Sequence, residues 1–141
     1  YSEDAIAAHQ ANHPEAEHLQ AELPLPRRRL PFPKDGRKFH VHGSPPCTLF
    51  STMNSKKGGE SEARHSATKL VSWYLKTALN SGCTSWTMEQ VPSKVVLAVV
   101  ERFRLKHRAR VDYGVFDFYD LGVPQRRKRL LAGTPALIAR A

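Results

Sequence analysis

Residues 70–103 read LVSWYLKTALNSGCTSWTMEQVPSKVVLAVVERF. Leu70, Val71, Tyr74, Leu75, Ala78 and Leu79 recur at three- and four-residue steps, which predicts one apolar stripe along a helix that stops at Gly82. Thr84 to Met88 follows as a short buried strand. Ser93 offers its hydroxyl as the cap of a second helix, with Val95, Val96, Val99, Val100 and Phe103 as the inward face. Arg102, Arg104 and Lys106 fall toward the C-terminal end of that helix, where the dipole favours cations.

Working outward, Phe39 to His42 predicts a strand before the first helix, which begins near Arg64. After the second helix, Val111 to Tyr119 predicts a strand, Gly122 and Pro124 a turn, and Leu130 to Ala132 a last strand. Strands alternating with helices predict an α/β fold with a largely parallel sheet and flanking helices. The segment between Gly43 and Gly59 is rich in Gly, Pro, Ser and Lys, the composition of a functional loop. Asp4 to Ala11 predicts a helix stopped near Asn12 and Pro14. Residues 23–37 hold Pro24, Pro26, Pro31 and Pro33 around Arg27, Arg28 and Arg29 and end at Gly36, a loop or insertion.

The chain has 141 residues and a net charge of +9, unevenly spread. Residues 1–26 contain no Lys or Arg and five acids, so all 22 basic residues lie in the remaining 115. That distribution permits a polyanionic partner, although a basic run is by itself more often a solvated face. Hydrophobic residues make up 40%, and no apolar run approaches the roughly 18 residues of a membrane span, so no membrane partner is expected. Two cysteines, Cys47 and Cys83, make neither a disulfide framework nor a four-ligand zinc site, and a reducing compartment is expected. A first residue Tyr1 with no signal segment suggests a piece of a longer chain.

Three short motifs carry chemistry. Gly43-Ser44-Pro45-Pro46-Cys47 follows a strand, where α/β sheets build their sites, and two prolines fix the backbone ahead of a thiol. An isolated cysteine is more often a small buried hydrophobe, which is the reading for Cys83 after Gly82. Glu89-Gln90-Val91-Pro92 sets a carboxylate at the end of the next strand, either a functional group or a helix-start acid. In Gly122-Val123-Pro124-Gln125-Arg126-Arg127-Lys128-Arg129, an extended backbone directs Gln125, Arg127 and Arg129 to one face and Arg126 and Lys128 to the other.

In this order and spacing, Pro45-Pro46-Cys47 with Phe50-Ser51, Glu89 with Val91, and the Gly122 to Arg129 run resemble the DNA (cytosine-5)-methyltransferase family. Asn12-His13-Pro14 and the stretch Gly58 to Arg64 are weaker matches. The resemblance implies a Rossmann-like S-adenosylmethionine-dependent methyltransferase sheet with flanking helices, spanning 1–141 as a partial catalytic domain, with 43–63 as its catalytic loop. It implies methyl transfer to cytosine C5 in DNA. Cys47 would be the nucleophile at C6, Glu89 the acid at N3 and the exocyclic amine, and Arg127 the cation at O2, with Arg129 holding the site together. Pro46 would meet the cofactor S-adenosylmethionine, and Thr48, Ser51, Arg64 and Gln125 would contact double-stranded DNA around a flipped cytosine.

The chain departs from the family pattern in several places. The glycine-rich first motif, the acid on the second strand, the target-recognition region and the closing motifs are absent, so the remaining methyltransferase segments are expected in the same or another chain. Gln90 stands where the family has Asn. A degenerate nucleic-acid-binding or structural subunit and an RNA (tRNA) cytosine-5 methyltransferase are the alternatives; Ser51 leans toward DNA. Thymidylate synthases share Pro-Pro-Cys but do not account for Glu89 or the Gln-x-Arg-x-Arg segment. The expected compartment is the nucleus in a eukaryote and the cytoplasm otherwise, without secretion.

Overall fold

The computed structural model describes residues 3–26, 30–46 and 60–140, with side chains from Thr68 onward in the helix that begins at Glu60. The chain forms two compact units, Tyr1–Pro31 and Phe32–Ala141. The first holds helix α1, Glu3–Asn12, which buries no residue. Its acids Glu3 and Asp4 lie in the first turn, where the helix dipole favours negative charge. Residues 23–26 and 30–37 form no regular element, as their prolines predict, and Arg27, Arg28 and Arg29 lie outside the described residues.

The second unit is mixed α/β, a four-stranded sheet with flanking helices. Its elements are β1 (His40–Gly43), α2 (Glu60–Asn80), β2 (Ser85–Gln90), α3 (Lys94–Lys106), β3 (Asp112–Asp117), β4 (Lys128–Gly133) and the short α4 (Pro135–Ile138). The strand order is β1-β2-β4-β3. β1 pairs parallel with β2, whereas β4 pairs antiparallel with both β2 and β3. The expectation of a largely parallel pairing is therefore corrected: one pair of three is parallel. The short link from β3 to β4 has no crossover helix, so β4 returns antiparallel and slots between β2 and β3.

The inward stripe of α2 is Val71, Tyr74, Leu75, Ala78 and Leu79, and that of α3 is Val96, Val99, Val100 and Phe103. These pack with Trp86, Met88, Leu130 and Ala132 from the sheet into one core. Val95 departs from its predicted inward position and is 39% exposed, because the i, i+3, i+4, i+7 stripe that starts at Val96 excludes it. Ser93 caps α3 as expected, accepting the Val96 N–H. α2 begins at Glu60, four residues before Arg64. The predicted strand to Tyr119 stops at Asp117, whose carboxylate accepts the Tyr119 N–H and starts a 3-10 turn, Phe118–Leu121, closed by Gly122 at φ 90°. No described helix is long and apolar enough to cross a membrane.

Candidate active site

Because β1 and β2 run parallel, their carboxyl ends, Gly43 and Gln90, meet at one edge of the sheet. β4 runs the other way, so its first residues reach that same edge, with Leu130 opposite Gln90 and Leu131 opposite Glu89. The three motifs of the sequence therefore converge from three chain segments. This is the edge at which open α/β sheets bind ligands.

Side chains of β2 alternate between the two faces. Trp86, Met88 and Gln90 are buried, and Ser85, Thr87 and Glu89 are half-buried on the other face. Glu89 Oε1 lies 2.7 Å from Arg129 Nε, and Ser44 Oγ donates to Glu89 Oε2 at 2.7 Å. Both carboxylate oxygens are thereby held, one by a guanidinium from β4 and one by a hydroxyl three residues before Cys47. On the same face, His40 Nε2 and His42 Nδ1 each lie 2.9 Å from Thr87 Oγ1. The period-2 series His40, His42, Ser44 opposite Ser85, Thr87, Glu89 was a readable signal for this polar face.

The buried face supports the same edge. Gln90 is fully buried, donates from Nε2 to the Pro45 carbonyl at 2.8 Å and accepts the Val91 N–H at 2.8 Å. Gln90 thus ties the Pro-Pro segment to the Glu89 strand. Tyr74 of α2 donates its hydroxyl to the Thr87 carbonyl at 2.7 Å, and burial pushes its phenol pKa up. Its ring lies against Gly43, where a Cβ would overlap it, so only glycine fits at the end of β1.

Asp117, unnoticed in the sequence, organises the basic run. Its carboxylate accepts the Arg127 N–H at 2.9 Å and lies 3.2 Å from Arg126 Nη1, while the Arg126 guanidinium sits 4.8 Å from the Tyr119 ring centroid. Desolvation works against the charged form, but the Arg127 and Tyr119 N–H bonds with Arg126 outweigh it and hold the Asp117 pKa below the ordinary carboxylate value. Strict alternation starts only at Lys128, because Gln125 lies in a bend. Arg129 is half-buried in the site, Arg126 is tied to Asp117, and the side chains of Arg127, Lys128 and Gln125 are exposed.

Of the other expected site residues, Pro46 lies exposed at the edge. Cys47, Thr48, Ser51 and the rest of 47–59 lie outside the described residues, as does the side chain of Arg64 within α2. Of the expected loop 43–63, Gly43 ends β1 and residues 60–63 are helical. β1 is the outermost strand of the described sheet, with no further strand beside it to carry a glycine-rich turn or a ribose-binding acid. The described residues therefore do not fit S-adenosylmethionine as a complete site. Among them no group of three or more His, Cys, Asp or Glu is arranged to hold a metal ion.

No family model matches the chain, and no curated protein matches it. Among solved structures it is similar to a methyltransferase of Entamoeba histolytica, EhMeth, with 18% identity over 67% of the chain and a TM-score of 0.42. The chain spans 31% of the length of that structure.

Proposed function

We propose that the chain is the catalytic middle of a DNA (cytosine-5)-methyltransferase. It contributes the nucleophile and the acid of a reaction that moves a methyl group from S-adenosylmethionine to cytosine C5, with the cofactor held by protein segments other than the described residues. The observation that carries this reading is the Ser44, Glu89, Arg129 constellation, in which a carboxylate is gripped by a β4 arginine beside the Pro-Pro segment that leads into Cys47.

The chemistry needs these groups. In the proposed reaction the Cys47 thiolate forms a bond to C6 of an extruded cytosine, and the C5=C6 electron pair moves onto C5. Negative charge then spreads over the ring. The Glu89 carboxyl faces N3 and the exocyclic amine, where it steadies the ring, and Arg127 meets the charge at O2. Arg129 fixes the Glu89 carboxyl so that its orientation is set before the base arrives, and Gln90 fixes the carbonyl two residues before Cys47. Once C5 has bonded to the methyl group, water takes up the C5 proton and the electron pair it leaves re-forms C5=C6 and expels the Cys47 thiolate, which restores the aromatic ring. Double-stranded DNA is the proposed partner, and the exposed Lys128 suits its phosphates.

Thiolate addition alone makes C5 exchange its hydrogen with water, so the first test needs no methyl donor. A duplex carrying cytosine tritiated at C5 is expected to release tritium with the intact chain and not with Cys47→Ser. A second arm uses a 5-fluorocytosine duplex with S-adenosylmethionine, where a denaturation-resistant adduct reports the whole reaction. Exchange without an adduct assigns the nucleophile to this chain and the cofactor to a missing segment. Neither signal, in this chain or in an extended one, overturns the proposal.

A further inference from the structure

The helices that flank the sheet converge at the end of the unit away from the candidate active site. α2 ends at Asn80, just before β2 begins, and α3 runs back from Lys94 to Lys106, about 20 Å at 1.5 Å per residue. Between the two C-terminal ends lies a cavity of about 520 Å³. Lys76 of α2, Arg102 and Lys106 of α3, and Arg110 beyond it line that space, and no Asp or Glu does. Leu79 and Phe103 form its apolar wall.

Four cations around one cavity repel each other unless something negative joins them. Arg104, on the same helix, is paired with Glu101 at 2.8 Å, whereas among the described residues none of these four is in an ion pair. Arg110 donates to the Leu79 carbonyl at the end of α2, one of the groups that make a helix C-terminus negative. Two helix C-termini amount together to about one negative charge, which leaves roughly three positive charges uncompensated. The volume lies within the ~300–1,000 Å³ of small-molecule sites, and the cations surround a concavity where a polymer backbone would call for a stripe.

We propose that this cavity binds a small molecule of nucleotide size bearing at least two phosphate groups, its phosphates on the cationic rim and its less polar part against Leu79 and Phe103. The site is separate from the Glu89 edge and stands whether or not the reading of that edge holds.

The test is calorimetric titration of the intact chain with ATP and, separately, with inorganic tripolyphosphate, without divalent metal. Both probes are expected to bind. Tighter binding of ATP supports a nucleotide-sized ligand, and equal binding of the two overturns the role given to the apolar wall. Arg102→Gln and Lys76→Gln are each expected to weaken binding about tenfold, since each removes a charge-assisted contact. Arg104→Gln, which alters the same helix outside the cavity, is expected to change it less than twofold. Circular dichroism of each variant checks that it remains folded. No binding of either probe at millimolar concentration overturns the proposal. So does equal weakening by Arg104→Gln, or Arg102-dependent binding of a 20-base-pair duplex with none of ATP or tripolyphosphate.

Discussion

Arg129 Nε lies 2.7 Å from Glu89 Oε1, a bond between neighbouring strands that links the basic run to the glutamate. Glu89 stands opposite Leu131, so the pair crosses the β2/β4 ladder diagonally. The two side chains are only 20% and 24% exposed, so water screens them less than it screens a surface pair. Glu89→Gln and Arg129→Leu are each expected to lower stability by about 1–3 kcal/mol, and the double variant by clearly less than the sum. Urea unfolding of all four proteins measures the coupling, and strict additivity would mean that the pair contributes nothing.

Gln90→Ala is expected to be among the most damaging changes in the sheet. It empties a fully buried position and leaves both the Pro45 carbonyl and the Val91 N–H without their partner. A loss of about 2–4 kcal/mol follows from the cavity and the stranded polar groups. Gln90→Asn keeps the amide but shortens its reach, so an intermediate loss is expected. Equal urea midpoints for the alanine variant and the wild type would contradict the assigned role.

Gly43→Ala forces a methyl group into the Tyr74 ring. A destabilisation of about 1–3 kcal/mol is expected from such overpacking. Tyr74→Leu removes the ring and also the hydroxyl bond to Thr87, so it is costly by itself. In that background, however, Gly43→Ala is expected to cost much less than in the wild type. A cost that is unchanged between the two backgrounds would place the strain elsewhere.

Asp117 gives the fold an acid-sensitive element. Its folded pKa is below the unfolded value of about 3.9, so its contribution is complete above that value and is lost as pH falls through the folded pKa. Wild-type stability is therefore expected to fall more steeply below pH ~4 than that of Asp117→Asn. Glu101 and Asp35, which are also held below their ordinary values by Arg104 and Arg37, remain in both proteins and cancel in the difference. Urea midpoints from pH 6 to pH 2 measure it, and parallel curves would reject the assignment.

The helices were legible because each is read from one continuous stretch. The stripe from Val71 to Leu79 and the Ser93 cap follow from local spacing, and both are present. Strand order is different in kind. The reversal of β4 depends on which distant segments pair, and nothing in Lys128 to Gly133 states its direction. The same limit hid the contact of Gln90 with Pro45, 45 residues away, and Asp117, whose neighbours Arg126 and Arg127 return to it only after a turn. The pairing of Glu89 with Arg129 joins two of the motifs read from the sequence, whereas Cys47, in the third, lies outside the described residues.

The central position of β4 also bears on how the protein is made. Lys128–Gly133 is the last of the described strands along the sequence, yet it fills the gap between β2 and β3. During synthesis, β2 and β3 emerge with their facing edges bare, and no earlier segment of this sheet closes them. A nascent chain stalled before Lys128 carries two unpaired edges and an uncovered Met88, the features that draw other strands and chaperones. Closure of the β2/β3 gap and assembly of the Glu89 edge are thus one event, and both wait for β4 to leave the ribosome.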